Sequence, residues 1–191
     1  MKITPVPHGL DLLASDLVRS PGLHMSDLYG SLYEALEPDR FKPDSEPNPL
    51  MLFLGTAFEQ HLERVIARCG YVVTRPGEFT TPEGIAYSPD GLVENGILRV
   101  IEYKLTWQSA KDYLNLNTTQ FPPKADKWLT QLKAYCYHLE TQHGRLYVYF
   151  VNGVYRPMLP MLLVWDIEFS RRDLVDNWTM LQNHAKQRKM L

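Results

Sequence analysis

Residues 88–104 (SPDGLVENGILRVIEYK) constrain the fold of this chain most, because two strand-like runs flank a turn signal there. The second run carries Glu102 and Lys104 two positions apart, so both side chains project from one face of a strand. A carboxylate and an ammonium group are costly inside a sheet unless they are paired or bind a ligand. A lone Glu-x-Lys pattern favours a simpler interpretation, an edge strand with a solvated polar face.

Asp90, in the first run, favours a ligand-binding site over a solvated polar face. Two carboxylates on adjacent strands, beside a lysine, suit a hard divalent cation bound through oxygen atoms. Such a cation would polarise a phosphate and activate water, while the lysine would position that water or stabilise charge. The hairpin therefore predicts a metal-dependent site.

The length of the hairpin loop decides whether these carboxylates share a face. A two-residue turn would pair Asp90 with Ile101 and direct it away from Glu102. A three-residue loop over 94–96, with its glycine in the left-handed conformation, would pair Asp90 with Val100 instead. We therefore predict an odd-length loop or a bulge, and a plain two-residue turn would contradict a shared site.

The rest of the chain predicts an α/β fold with a mixed central β-sheet flanked by helices. Apolar periodicity indicates helices over 50–69 and 125–139, an earlier helix capped by Ser26, and a C-terminal helix with a Ser170–Asp173 capping box. The residues of the helix over 50–69 that are expected to face the core are Phe53, Ala57, Leu62, Val65 and Ile66. Strands are predicted at 71–80, 85–94, 98–107, 145–153 and 161–169. Helices that alternate with groups of strands in this order are typical of a sheet covered by helices.

Length and composition predict one domain over residues 1–191, with a motif core at about 50–153, an N-terminal helical segment at 1–49 and a C-terminal strand and helix at 154–191. The 45% hydrophobic and 22% charged residues are typical of a globular protein and favour a folded chain over a disordered one. No apolar run approaches the roughly 20 residues that span a bilayer. Without a signal peptide either, the chain is expected to be cytoplasmic and without membrane partners.

Two cysteines, Cys69 and Cys136, lie inside helical patterns and are expected to be small core residues. Two thiols cannot supply a four-cysteine zinc site or an iron–sulfur cluster. The net charge of -2 gives no global indication of nucleic-acid binding, which depends on local patches.

Two helices carry further polar signals on either side of the hairpin. Glu59 follows Gly55 by four residues on the helix at 50–69, and Gln131 and Tyr135 lie one turn apart on the helix at 125–139, off its apolar stripe. Each of these pairs alone is more typical of a solvated surface. Their order around the hairpin gives them weight.

In that order the motifs resemble those of the PD-(D/E)xK nuclease superfamily, in its RecB-like and lambda-exonuclease-like branch. The pattern there is a glycine-led helix with an acidic residue or histidine, then PD, ExK and QxxxY. This chain carries Gly55/Glu59, Pro89-Asp90, Glu102-Tyr103-Lys104 and Gln131/Tyr135. The resemblance covers about residues 50–153 and implies a restriction-endonuclease-like core with the order α-β-β-β-α-β.

The resemblance implies one or two Mg²⁺ or Mn²⁺ ions as cofactors and no iron–sulfur cluster. Asp90 and Glu102 would bind the metal together with the backbone carbonyl of Tyr103. Glu59 would support the metal site directly or through water. Many RecB-like members carry histidine at that position, whereas lambda-exonuclease-like members carry glutamate.

The resemblance also implies roles for three other residues. Lys104 would hold or activate the attacking water, and Gln131 would orient Lys104 or the scissile phosphate. Tyr135 would steady the helix face near DNA.

A basic and aromatic stretch around the second helix predicts contacts with nucleic acid, including a polar loop at 108–124 that would form one wall of a substrate channel. Lysines interleaved with aromatic residues suit phosphate neutralisation and base stacking. The alternative is that Phe121 and Trp128 belong to the core and the lysines only aid solubility. The candidate DNA contacts are Arg75, Lys111, Lys124, Lys127 and Trp107.

The expected function is a Mg²⁺- or Mn²⁺-dependent DNA exonuclease that acts at DNA ends in phage-type recombination or DNA repair. A structure- or site-specific endonuclease of the same fold, or a catalytically idle DNA-end-binding module, are the alternatives. Analogy with relatives adds a single-strand annealing protein as partner, a homo-oligomeric ring, and the cytoplasm of a bacterial host or phage-infected cell.

Overall fold

A five-stranded mixed sheet flanked by helices lies at the centre of the computed structural model, which describes residues 20–39, 49–94, 96–114 and 121–191. The sheet order is β1-β4-β5-β6-β7, and β2 and β3 form a separate two-stranded sheet. This confirms the predicted fold class. The elements are α1 (Met25–Leu36), α2 (Pro49–Arg68), β1 (Val73–Thr74), β2 (Phe79–Thr80), β3 (Ala86–Tyr87), β4 (Gly91–Glu94), β5 (Leu98–Thr106), α3 (Asp126–His138), β6 (His143–Phe150), β7 (Met161–Glu168) and α4 (Arg171–Gln187).

The strands predicted at 71–80 and 85–94 are each broken into two short strands. Proline lacks a backbone N–H and interrupts a sheet ladder, and each predicted strand contains one, Pro76 or Pro89. Gly77 adds a left-handed backbone, with φ of +79°, to the first break. The second half of the first run, β2, pairs with the first half of the second run, β3. The remaining halves, β1 and β4, join the main sheet.

The hairpin between β4 and β5 has the predicted odd-length loop. Glu94 pairs with Leu98, which leaves residues 95–97 between the strands. Gly96 has a φ of +74°, the left-handed conformation that the turn requires. The loop is one residue further along the chain than the predicted 94–96, because the strand extends through Glu94.

That displacement corrects the predicted partner of Asp90. Gly91 pairs with Ile101, so the next position places Asp90 opposite Glu102 and not opposite Val100. Because a shift of two residues preserves the face of a strand, the shared face survives the correction.

The two faces of β5 belong to different cores. Ile101 and Tyr103 pack against Leu62 and Ile66 of α2. Val100, on the opposite face, belongs to the larger cluster that includes residues of α1, α3 and α4. Alternation along the strand therefore directs Glu102 and Lys104 toward the α3 side of the sheet.

Helix α3 packs between the sheet and the helices α1 and α4, and this placement overturns part of its predicted pattern. Gln131 and Tyr135, expected off the core stripe, are only 7% and 4% exposed. Gly144 in β6 allows this close packing, since a Cβ there would lie 2.8 Å from the Leu132 side chain. A helix enclosed on two sides buries polar residues as well as its apolar stripe.

Among the described residues, helix α2 packs on the sheet from Phe58 onward, and Phe58 contacts the Tyr149 ring of β6. Leu62 and Ile66 are buried as predicted. Phe53, Ala57 and Val65 were expected to face the core but are exposed. Five consecutive apolar residues, Leu50 to Leu54, are each at least 37% exposed.

The capping box of α4 is as predicted, whereas the start of α1 and the burial of Cys69 differ from the prediction. The Ser170–Asp173 capping box is confirmed, with Ser170 Oγ accepting from Asp173 N at 3.1 Å. Helix α1 begins one residue before Ser26, with His24 as its N-cap. Cys136 is buried as expected, but Cys69 is exposed, since it follows the last residue of α2.

Within the described ranges, no helix has the length and hydropathy that crossing a membrane requires.

Candidate active site

Asp90 immediately precedes β4, and the register of the hairpin places it opposite Glu102 of β5. Asp90 is half-buried, and its Oδ2 accepts a hydrogen bond from the Tyr103 backbone N–H at 2.7 Å. Glu102 is fully buried. Gly91 lets β1 lie close behind this position, because a Cβ there would be 2.6 Å from Val73 Cγ1. The hairpin thus brings two carboxylates together at a packed sheet position.

Lys104 links these carboxylates to α3. Its Nζ donates to Glu102 Oε1 and, at 3.0 Å, to Gln131 Oε1. Gln131 Nε2 in turn donates to the Tyr135 hydroxyl at 3.1 Å. The structure therefore gathers four predicted catalytic residues, from β5 and α3, into one hydrogen-bonded network.

The carboxylates carry more negative charge than the site compensates. Burial raises the pKa of Glu102 to about 8, with a further contribution from Asp90. Burial also raises the pKa of Asp90, although Lys104 and the Tyr103 N–H oppose this. For Lys104 burial opposes the charged form, but Glu102, Tyr29 and Asp90 raise its pKa above the ordinary value. An added cation would relieve this imbalance.

The oxygen atoms at the site fit a hard divalent cation. Glu102 Oε2 is buried and has no hydrogen-bond partner within the described ranges, which is costly for a carboxylate oxygen. The Tyr103 backbone N–H donates to Asp90. Because the N–H and C=O of one strand residue point to the same side of the strand, the Tyr103 carbonyl also points toward Asp90. Two carboxylate oxygens and a carbonyl oxygen can therefore converge there.

Glu59 does not complete a three-carboxylate cluster. In the residues that the structure describes, no three His, Cys, Asp or Glu side chains lie close enough together to hold a metal ion. Two carboxylates suffice for Mg²⁺, which commonly keeps several waters and binds substrate phosphates. The donor set therefore fits Mg²⁺ or Mn²⁺ with Asp90 and Glu102 as its side-chain ligands.

Glu59 nevertheless lies within electrostatic reach of the site. Burial raises its pKa to about 7, and the nearby Asp90 adds to this rise. Arg75 Nη2 lies 3.5 Å from Glu59 Oε2, and Arg75 Nε bonds to Glu63. Arg75, predicted as a DNA contact, is thus placed against two carboxylates of α2.

Three other predicted DNA contacts, Lys111, Lys124 and Trp107, lie in the segment between β5 and α3. Lys124 forms an ion pair with Asp112, and Lys111 acts on the same carboxylate electrostatically. Trp107 is half-buried, and its carbonyl accepts a hydrogen bond from the Tyr155 hydroxyl. Residues 115–120 of the predicted loop lie outside the described residues.

The aromatic residues of this stretch contribute to packing. Trp128 stacks on Tyr113 with ring centroids 6.1 Å apart, and Phe121 contacts Trp165 edge-on at 5.2 Å. Both are half-buried against the larger core. These contacts favour the core interpretation for Phe121 and Trp128.

Tyr29 of α1 is a residue of the site that the sequence did not reveal. Lys127 Nζ lies 5.8 Å from the centre of its ring. Burial raises the pKa of Tyr29 to about 12, and Lys104 opposes that rise more than any other charge. Nothing in the sequence around Tyr29 marks it, because it lies in an ordinary amphipathic helix far from the four motifs.

Solved structures of exonucleases share this fold. The chain is 22% identical to an alkaline exonuclease from Laribacter hongkongensis, with a TM-score of 0.56 and 87% of each chain covered. The same enzyme in complex with dAMP gives 21% identity, a TM-score of 0.55 and the same coverage. A phage-related exonuclease from Haemophilus somnus is 13% identical, with a TM-score of 0.53 over 85% of this chain and 78% of the other.

These structures establish the fold of the chain. No protein-family model matches the sequence, and no curated protein matches it significantly.

Proposed function

We propose that this protein is a Mg²⁺- or Mn²⁺-dependent deoxyribonuclease, and specifically an exonuclease that hydrolyses phosphodiester bonds at DNA ends. The observation that carries the proposal is the pair of facing carboxylates, Asp90 and Glu102, with Lys104 bonded between Glu102 and Gln131. The likeness of the fold to solved exonucleases supports the same reaction class. Fold alone does not fix the substrate, so the proposal rests mainly on the site.

In this mechanism Asp90, Glu102 and the Tyr103 carbonyl would hold the divalent cation, with Glu59 as an outer support. When bound, the cation would supply Lewis-acid polarisation of the phosphate and would lower the pKa of water. Asp90 is fixed by the Tyr103 N–H, and Glu102 by Lys104, so both carboxylates are oriented before substrate arrives. Such preorganisation lowers the reorganisation needed in the transition state.

Lys104 is proposed to place its ammonium group at the reacting phosphate, from its position between Glu102 and Gln131. Since Glu102, Tyr29 and Asp90 keep its pKa above the ordinary value, it stays protonated at neutral pH and acts as a cation and hydrogen-bond donor. It can therefore hold the attacking water or stabilise the developing charge on phosphate, but it does not serve as a general base in the metal-free protein. Gln131 fixes the Nζ position, and Tyr135 fixes Gln131.

Substrate DNA is proposed to contact Lys111, Lys124, Lys127, Trp107 and Arg75 beside this site. The pathway of phage-type recombination or DNA repair, a cytoplasmic location, and a single-strand annealing protein as partner are proposed by analogy. A homo-oligomeric ring has one supporting observation, the exposed apolar start of α2 from Leu50 to Leu54.

The test is digestion of a 5′-labelled linear duplex beside closed circular plasmid, with Mg²⁺, Mn²⁺ or EDTA. We expect loss of the linear DNA alone, in metal and not in EDTA, and the pattern of label release would give the polarity. Nicking or linearisation of the plasmid would change the proposal to an endonuclease. Binding of linear DNA without cleavage in either metal would favour an idle DNA-end-binding module and refute the proposed reaction.

A further inference from the structure

The guanidinium of Arg75 is bound between two carboxylates of helix α2. Its Nε donates to Glu63, and its Nη2 lies 3.5 Å from Glu59 Oε2. Glu59 and Glu63 are one helical turn apart and therefore share a face of α2. Because an arginine side chain cannot be deprotonated in a protein, this side of the site holds a permanent positive charge.

The register of the first strand brings Arg75 to this position. Arg75 directly follows β1, in which Thr74 pairs with Leu92 of β4. Continuing this antiparallel register places Arg75 opposite Gly91, the residue after Asp90. Arg75 accordingly acts electrostatically on the Asp90 carboxylate. The sheet and α2 thus fix a cation at the edge of the proposed metal site.

One divalent cation balances the formal charge of the side chains at the site. The charged groups that act most strongly on the carboxylates Asp90, Glu102 and Glu59 are these carboxylates themselves together with Glu63, Lys104 and Arg75. This set contains four carboxylates and two cationic side chains, which gives it a formal charge of -2. Before substrate binds, one Mg²⁺ or Mn²⁺ ion would neutralise that charge, whereas two would leave an excess of positive charge, which is unfavourable in a partly buried place.

The carboxylate that a second ion would need is already bound to Arg75. In sites that use two metal ions, the ions lie about 3.5–4 Å apart, so further protein ligands must lie beside the first ion. Within the part of the chain that the structure describes, Glu59 does not join Asp90 and Glu102 in a three-ligand cluster. Its Oε2 lies against Arg75 instead. A guanidinium can also replace an ion in function, since arginine and metal ions both stabilise charge on a reacting phosphate.

We propose that Arg75 takes the place of a second metal ion, so that the site binds a single divalent cation. This inference rests on the proposed function and selects one of the two metal stoichiometries that the sequence allowed. Arg75 compensates the charge of Glu59 and Glu63, and the single ion is left to Asp90 and Glu102. The Arg75 side chain is still 43% exposed, so it can also donate to a phosphate of the incoming strand.

Counting bound ions tests the proposal without relying on cleavage. Metal-free protein is titrated with Mn²⁺, and the free Mn²⁺ is measured by its electron paramagnetic resonance signal. We expect about one ion per chain for wild type and about two for Arg75→Gln, because the amide removes the charge and releases Glu59 as a ligand. Arg75→Lys should keep one ion, since it retains the positive charge. Arg68→Gln, at the exposed end of α2, is the matched control and should also bind one.

A second substitution locates the additional ion. Arg75→Gln combined with Glu59→Gln should return to about one ion per chain, because the ligand that Arg75→Gln releases is then lost. A count that stays at two in the double variant would place the additional ion elsewhere and overturn the proposal.

The dependence of the cleavage rate on Mn²⁺ extends the count to the protein with substrate bound. Below saturation, a plot of log rate against log Mn²⁺ concentration should have a slope of about one for wild type. The slope should be about two for Arg75→Gln, because a second ion must then supply the charge that the guanidinium supplied. Arg68→Gln should have the slope of wild type.

The outcomes separate this inference from the proposed reaction. Wild type that binds two ions, or that has a slope near two, would overturn the inference and leave a metal-dependent nuclease. Equal counts for Arg75→Gln and wild type would overturn it as well. One ion in wild type and two in Arg75→Gln, without cleavage of DNA by wild type, would refute the reaction and support the inference. Wild-type protein that binds no Mn²⁺ would refute the metal site and this inference with it.

Discussion

Four residues of the site form a chain of hydrogen bonds that runs from Glu102 of β5 to Tyr135 of α3. Glu102 bonds to Lys104, Lys104 to Gln131, and Gln131 to Tyr135. Because each side chain fixes its neighbour, a change in the middle of the chain should misplace the lysine without removing the metal ligands. The role of Gln131 can therefore be separated from that of the carboxylates.

Gln131→Leu should lower kcat on linear duplex by about 10–100-fold, because a misplaced catalytic group can cost that much. The change in Tm with Mn²⁺ should persist, since Gln131 is not a proposed ligand. Gln182→Leu is the control, because that glutamine bonds to Glu83 outside the site. Unaltered kcat in Gln131→Leu would contradict the proposed positioning of Lys104.

The sequence predicted the residues of this chain of contacts but not all of their surroundings. The two-residue spacing of Glu102 and Lys104 gave their common face, because the strand period is two. The partner of Asp90 was wrong by two residues, because the end of β4 depends on pairing energies across the turn. Tyr29 could not be predicted, because only tertiary packing brings α1 to the site.

At the scale of elements, the hairpin of β4 and β5 concentrates negative charge in a buried place. Two close carboxylates repel each other, so a bound divalent cation should stabilise the folded protein. The pairing of the two strands and the binding of metal should therefore be linked.

Mn²⁺ at about a hundred times its Kd should stabilise the fold by about 2.7 kcal/mol, or roughly 5–10 °C in Tm for a chain of this length. Asp90→Asn should lose this shift, because the amide keeps the size of the side chain but removes the charge. Glu94→Gln, at an exposed position on the same hairpin, should keep it. Equal shifts in all three proteins, measured by thermal melts, would place the metal elsewhere.

Helix α3 ends in a histidine that is enclosed by aromatic rings. His138 contacts Trp178 edge-on with ring centroids 4.3 Å apart and lies 5.4 Å from Tyr87. Its Nε2 is buried without a hydrogen-bond partner among the described residues, and burial lowers its pKa to about 4. The imidazole is therefore neutral in the folded protein at pH values where the unfolded chain binds a proton.

This lowered pKa predicts acid destabilisation with a defined sign. As pH falls from about 6.5 to about 4, the unfolded state takes up the proton first, so the free energy of unfolding decreases, by on the order of 1–3 kcal/mol. His138→Phe should flatten this part of the pH profile in urea melts. His61→Gln, on the exposed face of α2, should leave it unchanged. A profile that is the same in His138→Phe and wild type would refute this assignment.

Element boundaries were predictable where local chemistry sets them. The Ser170–Asp173 box gave the start of α4, because the capping contacts are within one turn. The strands predicted at 71–80 and 85–94 were too long, because the prediction followed their apolar pattern and gave too little weight to the proline in each. The burial of Gln131 and Tyr135 was missed, since it requires α1 and α4 to cover α3.

At the scale of the whole molecule, the exposed start of α2 is the strongest indication of self-association. Five consecutive apolar residues are unusual on the surface of a monomer and are typical of an interface. If they form one, light scattering after gel filtration should show an oligomer for the wild type and a monomer for Phe53→Glu. Wild-type protein that remains monomeric at all concentrations would contradict the ring.

The fold class was predictable because the order of helices and strands specifies a mixed sheet, and solved exonucleases share that fold. The assembly was not predictable in the same way. Interfaces depend on which apolar side chains remain uncovered after folding, and the apolar residues of α2 were expected to face the core.

If Asp90 and Glu102 support metal-dependent cleavage of DNA, removing the charge of Asp90 should greatly slow that cleavage. The rate of nucleotide release from linear duplex in Mn²⁺ is measured for wild type, Asp90→Asn and Glu94→Gln. We expect nucleotide release by wild type and Glu94→Gln, and a rate at least about a hundredfold lower for Asp90→Asn. Equal rates for wild type and Asp90→Asn would contradict it.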